Sequence, residues 1–237
     1  QNEHPPCAKT AADDGGGPRC VGITEKRAAF NKHGHRDVKI VAPDAFDFDR
    51  KKGDTVMLRD ASPEVWADVD VVGIHGAAPL SDLYSPLQPW LTDEAKPLWN
   101  AENEAGYMGV RFLARDLVRA FVENNATGFV EWPLTNGAYD HLPFMDNILP
   151  SLSTQPWSGH YEIGTHVRAF AHHTQFAHPG YLYDRAASRI LAHGGSVVTR
   201  RSPDGKHFAS VIETVPCDDM PVGPSDDIRY QHNFRCP

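Results

Sequence analysis

Several signals that would assign this chain to a broad class of protein are missing. Its 237 residues hold no apolar run near the roughly 20 residues that a membrane-spanning helix needs, and no signal-like segment opens the sequence. No dense Lys/Arg tract occurs, and the formal net charge is −8. We therefore expect neither an integral membrane protein nor one whose main partner is nucleic acid or an anionic membrane.

Cysteine is scarce, with four residues that form two pairs close in sequence: Cys7 with Cys20 and Cys217 with Cys236. The spacing lacks the Cys-x-x-Cys pattern of a zinc or redox site, so we predict two short-loop disulfides made in an oxidising compartment. The triplet that begins at Asn125 is an acceptor sequence for N-glycosylation, which agrees with the secretory route.

Motifs for several catalytic chemistries are also absent. The sequence has no Gly-x-Ser-x-Gly, no phosphate-binding Gly-rich loop after a strand and no family-type Cys/His nucleophile. His172, His173 and His178 lie close together, but adjacent histidines on a helix point in different directions and no carboxylate motif accompanies them. We predict no metal site and assign no cofactor.

Short strands rich in β-branched residues alternate with helical patterns along the first half of the chain. The predicted strands cover residues 38–42, 69–75, 97–101 and 128–132. Helices are predicted at 54–67 and, from apolar residues at i, i+3, i+7 and i+11, after Val110. This order is typical of a parallel α/β fold. Polar or aromatic strand ends fit a (β/α)8 TIM barrel, whose active site lies at the carboxyl ends of the strands.

We predict that residues 1–179 form the C-terminal part of such a barrel. Polar strand-end residues are present already at Asn2 and Glu3, and the first residue is Gln1 rather than Met. We therefore expect earlier strands in a longer protein. A weakly helical stretch over residues 21–33 is predicted to end at Gly34.

After residue 180 the pattern changes to short strands and turns. Residues 194–199 and 208–213 are predicted to form a hairpin around a Ser-Pro-Asp-Gly turn, at the start of an all-β domain over residues 180–237. A polar, aromatic loop over residues 151–162 and a helix over residues 165–176 precede it.

Glu3 and Glu102 are a candidate pair of catalytic carboxyls. A retaining glycosidase places two carboxyl groups about 5–5.5 Å apart, one as acid/base and one as nucleophile. Glu104 is an alternative to Glu102, because alternation along a continued strand would point both the same way. His75 could orient a carboxylate, and Trp132 could stack on a sugar ring. From spacing alone, salt bridges, capping and core packing remain the more frequent roles of such residues.

A family resemblance is carried by the segments that cover residues 38–44, 69–75, 98–102, 155–161, 173–176, 179–181 and 194–196. With these segments in order, from about residue 36 to residue 214, the sequence resembles glycoside hydrolase family 59. The resemblance implies a retaining β-galactosidase for galactosylceramide-type lipids, with a TIM barrel joined to a β-sandwich. It implies a lysosomal or secreted protein and is compatible with a lipid-presenting activator protein as a partner.

The resemblance also implies roles for individual residues. Glu102 matches the nucleophile and Glu3 the acid/base, whereas His75, Trp132, Tyr161 and Asn2 match residues that line the sugar site. The chain departs from the family pattern at Gln1, Asn103 and Ala105, and Arg235 is only an approximate match to an arginine of the sandwich domain.

Two alternatives stay open: a related barrel glycosidase of β-glucosylceramidase or galactanase type, and a non-catalytic carbohydrate-binding descendant. We also expect the 237 residues alone to be inactive, because a barrel without its early strands has open edges and an incomplete pocket.

Overall fold

Two larger sheets and one small sheet organise the part of the chain that the structure describes. The computed structural model describes residues 21–45, 58–60, 63–75, 96–103, 110–132, 136–137, 150–152, 159 and 161–215. Within these residues the sheets have four, four and three strands. All four cysteines, and with them the predicted disulfides, lie outside the described residues.

Four parallel strands form the first sheet, in the order in which they follow along the chain. They are β1 (Val41–Ala45), β2 (Val71–His75), β3 (Leu98–Asn103) and β4 (Gly128–Glu131). Each pairs in parallel with the next. The predicted parallel α/β arrangement is thereby confirmed. β3 continues two residues beyond its predicted end, so that Glu102 lies within the strand.

Helices connect or flank these strands. They are α1 (Val21–Lys32), α2 (Pro63–Asp68), α3 (Val110–Asn124) and α4 (Thr165–Thr174), and residues 58–60 are also helical. α1 ends as predicted, since Gly34 has a φ of 82° and the amide of His35 donates to the carbonyl of Phe30 at 2.8 Å. This is the Schellman geometry, in which glycine takes the left-handed position without steric cost.

The start of β1 is set by the carboxylate of Asp70. It accepts a hydrogen bond from the amide of Ile40 at 2.8 Å and pairs with Arg27, whose guanidinium also donates to the carbonyl of Val38 at 3.0 Å. The carbonyl of Ile40 accepts from the amides of Asp70 and Val71. Because these bonds hold residues 38–40 at the end of the turn, β1 begins at Val41, three residues later than predicted.

One face of the parallel sheet is covered by helices. The side chains buried there with Trp66 of α2 include Ala42, Val72, Ile74 and Leu98. Asn100 pairs with Phe129 in the ladder, and Phe129 packs on α3, so α3 covers the same face. A fully buried aliphatic side chain contributes about 1.5–3 kcal/mol, and this burial holds the helices against the sheet.

An antiparallel sheet follows and confirms the predicted hairpin. Its strands are β8 (Leu182–Tyr183), β9 (Arg189–Ile190), β10 (Ser196–Arg201) and β11 (Phe208–Glu213). In the turn, Ser202 exchanges backbone and side-chain hydrogen bonds with His207, at 2.9 and 3.0 Å. Val198 and Val211 are paired across the hairpin and pack with Phe121 of α3. α3 therefore contacts both larger sheets.

The small sheet corrects the loop predicted over residues 151–162. Its strands are β5 (Asn136–Gly137), β6 (Pro150–Leu152) and β7 (Tyr161–Ile163). β6 pairs parallel to β5 and antiparallel to β7, so both ends of the predicted loop are strands. Such strands of two or three residues carry too little periodicity to be recognised in a sequence.

Across the described ranges, no helix combines the length and apolar character needed to cross a membrane.

Candidate active site

Three polar side chains meet at the carboxyl ends of β1, β2 and β3. The Nε2 atom of His75 lies 3.3 Å from Oδ1 of Asp44 and 3.6 Å from Oε2 of Glu102. His75 and Glu102 are also direct partners in the ladder of β2 and β3. The structure thus brings His75 and Glu102 together at these strand ends and adds Asp44.

A bulge in β3 sets the direction of Glu102. Between Ile74 and His75 the register advances by one residue on β2 and by two on β3, from Asn100 to Glu102. The β4 side shows the same extra residue, because Asn100 pairs with Phe129 but Asn103 with Glu131. A bulge interrupts side-chain alternation and redirects the next residues. Glu102 is thereby on the face of His75, away from the helices, instead of on the face of Asn100.

The arrangement places one imidazole between two carboxylates. The side chain of His75 is 12% exposed, that of Glu102 28% and that of Asp44 58%. An Nε2–H group of His75 can donate toward either carboxylate oxygen, and this direction restricts the position of the Glu102 carboxylate. Glu102 is thus partly buried beside His75 and open to solvent on one side.

Asp44 is not among the site residues predicted from the sequence, although it is a polar residue at a strand end. It lies in β1 with a φ of 61°, a left-handed conformation that Asp and Asn adopt more readily than other side chains. The signal that could have identified it is the same rule that identified His75 and Glu102, namely a polar residue at the carboxyl end of a parallel strand.

Two tryptophans lie at opposite ends of β4, Trp132 at the carboxyl end near the site and Trp99 beside the first residue of the strand. Trp132 follows β4, is 40% exposed, and donates its amide to the carbonyl of Asn103 at 3.0 Å. The indole of Trp99 lies over Gly128, where an added Cβ would come within 2.7 Å of it. Gly128 thus makes room for an indole on the face that carries Glu102. Nothing in the sequence around Trp99 distinguishes it from an ordinary core residue.

The remaining candidates lie wholly or partly outside the described residues. Tyr161 begins β7, where its backbone pairs with Leu152, and its side chain lies outside the described part. Glu3, Asn2 and Glu104 lie outside the described residues altogether. The separation of Glu3 and Glu102 therefore stays a prediction.

Behind the site, between β3 and α3, lies a layer of buried polar groups. Nδ2 of Asn103 is 3.5 Å from Oδ2 of Asp116, and both residues are almost fully buried. Burial raises the pKa of Asp116 to about 7, although the contact with Asn103 and the positive charges of Arg115 and Arg119 act to lower it. The layer continues toward the antiparallel sheet, because Arg119 donates to the carbonyl of Gly194, two residues before β10, at 3.0 Å.

The histidines of α4 belong to a different environment. Burial lowers the pKa of His173 to about 3, helped by the positive charge of Arg200. Nη1 of Arg200 lies 3.1 Å from Nδ1 of His173, which accepts the hydrogen bond as a neutral imidazole. His173 therefore serves the packing of α4 on β10. The described residues include no group of three or more His, Cys, Asp or Glu side chains placed to hold a metal ion.

Comparison with known proteins identifies the family. The sequence model of glycosyl hydrolase family 59 matches residues 19–175. The chain belongs to glycosyl hydrolase family 59. This match includes Asp44, His75 and Glu102 and confirms the family resemblance seen in the sequence.

Several galactocerebrosidases are similar in sequence to this family 59 chain. The protein from Mus musculus is 28% identical over 196 residues, which cover 81% of this chain and 27% of the relative. The protein from Homo sapiens is 31% identical over 192 residues, which cover 80% of this chain and 26% of the relative. The chain thus spans about a quarter of the length of these relatives.

Among solved structures, SrfJ from Salmonella typhimurium is similar in fold. The match has a TM-score of 0.50 and 14% sequence identity, and it covers 80% of this chain and 48% of SrfJ. At this identity the likeness concerns the fold alone. It agrees with the parallel α/β arrangement of the family 59 chain.

Proposed function

We propose that this chain supplies the nucleophile side of the active site of a retaining β-galactosidase that acts on galactosylceramide-type lipids. The observation that carries the proposal is the contact of Glu102 with His75, 3.6 Å apart at the carboxyl ends of neighbouring parallel strands, in a family 59 sequence. Glu102 attacks the anomeric carbon and forms a covalent glycosyl ester. Glu3 first protonates the leaving oxygen and later activates the water that hydrolyses the ester.

The other residues of the site receive supporting roles. His75 holds the Glu102 carboxylate, and Asp44 holds His75 from the other side. Trp132, Tyr161 and Asn2 line the sugar, with the exposed indole of Trp132 offering an apolar face to the ring. The carboxylate of Glu102 thus arrives with its orientation already fixed, which lowers the entropic cost of attack.

The proposal includes the larger architecture and setting. Residues 1–179 form the C-terminal part of a (β/α)8 barrel, and residues 180–237 begin a β-sandwich. The consecutive order of β1 to β4 supports the barrel, because barrel strands are neighbours in chain order. The partners are a glycosphingolipid or β-galactoside substrate and a lipid-presenting activator protein, and the location is lysosomal or secreted.

Covalent trapping tests the role of Glu102. The protein is expressed in the longest form that its gene encodes, incubated with an activated 2-deoxy-2-fluoro-galactoside, digested and mapped by mass spectrometry. We expect the label on Glu102 in the wild type and no label in Glu102→Gln. A label on any other carboxylate would refute the assignment. Sugar binding without any label or product would favour the non-catalytic descendant instead.

The sugar is tested separately. Hydrolysis of an aryl β-galactoside is compared with that of the matching aryl β-glucoside, and we expect the galactoside to have the higher kcat/KM. The reverse order, with Glu102 still labelled, would assign the chain to a β-glucosylceramidase-type specificity and leave the nucleophile unchanged.

A further inference from the structure

The residue after Glu102 is anchored more firmly than Glu102 itself. Asn103 is 1% exposed, and its backbone carbonyl accepts a hydrogen bond from the amide of Trp132 at 3.0 Å. Its side-chain amide points into the layer beneath α3, where Nδ2 lies 3.5 Å from Oδ2 of Asp116. Asn103 is therefore fixed both to β4 and to a helix.

This anchor lies at the bulge that redirects Glu102. Because β3 carries one extra residue between Asn100 and Asn103, the direction of Glu102 depends on where the strand resumes pairing. It resumes at Asn103, which pairs with Glu131. The side chain of Asn103 faces the helices and that of Glu102 faces His75, so a rotation of the strand end that moves one moves the other.

Asp116 is suited to hold this strand end in place. It is 2% exposed, so water does not replace it as an acceptor for Asn103. A buried amide that loses its hydrogen-bond acceptor costs about 1–3 kcal/mol. Without Asp116, this cost would favour a rotation of the end of β3 that turns the Asn103 amide toward other partners. Arg115 and Arg119 are also buried, and their two positive charges near the Asp116 carboxyl favour its ionised form.

We propose that Asp116 is a positioning residue for Glu102: through Asn103 it fixes the bulged end of β3 in the geometry that points Glu102 at His75. The inference rests on the proposed function of Glu102. Asp116 does not touch substrate, and its effect is on the position of the nucleophile. The bond that forms and the bond that breaks are those of the glycosidase step already described.

The test compares Asp116→Leu with Asp116→Asn in the longest form that the gene encodes. Leucine removes the acceptor, whereas asparagine keeps an oxygen for Asn103. A displacement near 1 Å can cost about 100-fold in rate, so we expect kcat of Asp116→Leu to fall about 10- to 100-fold with KM within about twofold. Asp116→Asn is expected to restore most of the activity. Equal activity of both variants and the wild type would overturn the proposal.

Glu123→Leu is the matched control. Glu123 lies two turns further along α3 and pairs with Arg119 at 3.4 Å, so its loss also removes a carboxylate from beside a buried arginine. We expect a loss of stability but little change in kcat. An equal fall in kcat for Glu123→Leu and Asp116→Leu would mean general destabilisation and would also overturn the proposal. If Asp116→Leu does not fold, Asn103→Ser breaks the same contact from the strand, and the same criteria apply.

A crystal structure of Asp116→Leu gives a result that does not depend on activity. We expect the distance from Nε2 of His75 to Oε2 of Glu102 to exceed the 3.6 Å of the wild type. An unchanged distance would overturn the positioning role even if Glu102 is the nucleophile. Labelling of another carboxylate in the wild type would overturn the proposed function, while the measured distance would still decide whether Asp116 positions Glu102.

Discussion

At the scale of single residues, the site consists of the imidazole of His75 and the two carboxylates that lie beside it, at the ends of three strands. His75 is nearly buried between Asp44 and Glu102, and neither carboxylate is more than 3.6 Å from its Nε2 atom. Such an imidazole orients the proposed nucleophile, Glu102, only if its own direction is fixed. Asp44, on the more exposed side, supplies a charged partner for that purpose.

Replacement of Asp44 by asparagine tests this role. Asparagine tolerates the left-handed backbone at this position, so Asp44→Asn removes the charge with little strain. We expect kcat/KM to fall about tenfold, equivalent to about 1.4 kcal/mol of transition-state stabilisation, whereas unfolding stability stays within about 0.5 kcal/mol. Steady-state kinetics and chemical denaturation measure the two effects. An unchanged kcat/KM would show that His75 is oriented without Asp44.

At the scale of elements, β3 and α3 share a buried carboxyl whose ionisation affects stability. The pKa of Asp116 is raised from 3.8 to about 7, mainly by burial, so the folded state binds this proton more tightly than the unfolded state. The groups that face it are Asn103 on β3 and Arg115, Arg119 and Glu123 on α3. Its contribution therefore opposes folding increasingly as pH rises from about 4 through about 7.

Asp116→Asn replaces the titrating carboxyl by an amide, so this proton no longer contributes to the pH dependence of folding stability. We expect the variant to gain stability over the wild type at about pH 8 and to gain less, or nothing, at about pH 5. Urea denaturation at the two pH values measures the difference. Glu123 has a pKa raised by burial as well, so Glu123→Gln is the comparison that separates the two carboxyls. A gain that does not change between the two pH values would contradict the raised pKa of Asp116.

The elements β3 and α3 also show which features of the fold can be predicted from the sequence and which cannot. The spacing of Leu113, Leu117 and Phe121 predicts α3 correctly, because one apolar stripe is enough to define a helix. The bulge in β3 could not be predicted, since it depends on pairing with two neighbours at once. For the same reason Asp116 was not recognised: nothing in its local sequence distinguishes a carboxylate buried beneath a bulge from one on the surface.

At the scale of the whole molecule, α3 contacts both larger sheets. Phe129 of β4 packs on α3, and Val198 and Val211 of the antiparallel sheet pack on the same helix. Arg119 adds a hydrogen bond to the carbonyl of Gly194. The predicted boundary near residue 180 therefore separates two segments of sequence whose described parts share one helix.

Phe121→Ala tests whether the two sheets are stabilised together. Phe121 is buried, with the ring of Tyr183 at 6.2 Å and the guanidinium of Arg200 at 4.4 Å from its centroid. Truncation is expected to cost about 3–5 kcal/mol. If α3 couples the sheets, amide hydrogen exchange will accelerate in β3 and β4 as well as in β10. Phe208→Ala, at a residue that is 63% exposed, is the control and is expected to change neither. Faster exchange confined to β10 and β11 would instead show that the antiparallel sheet opens independently of the sheet that carries Glu102.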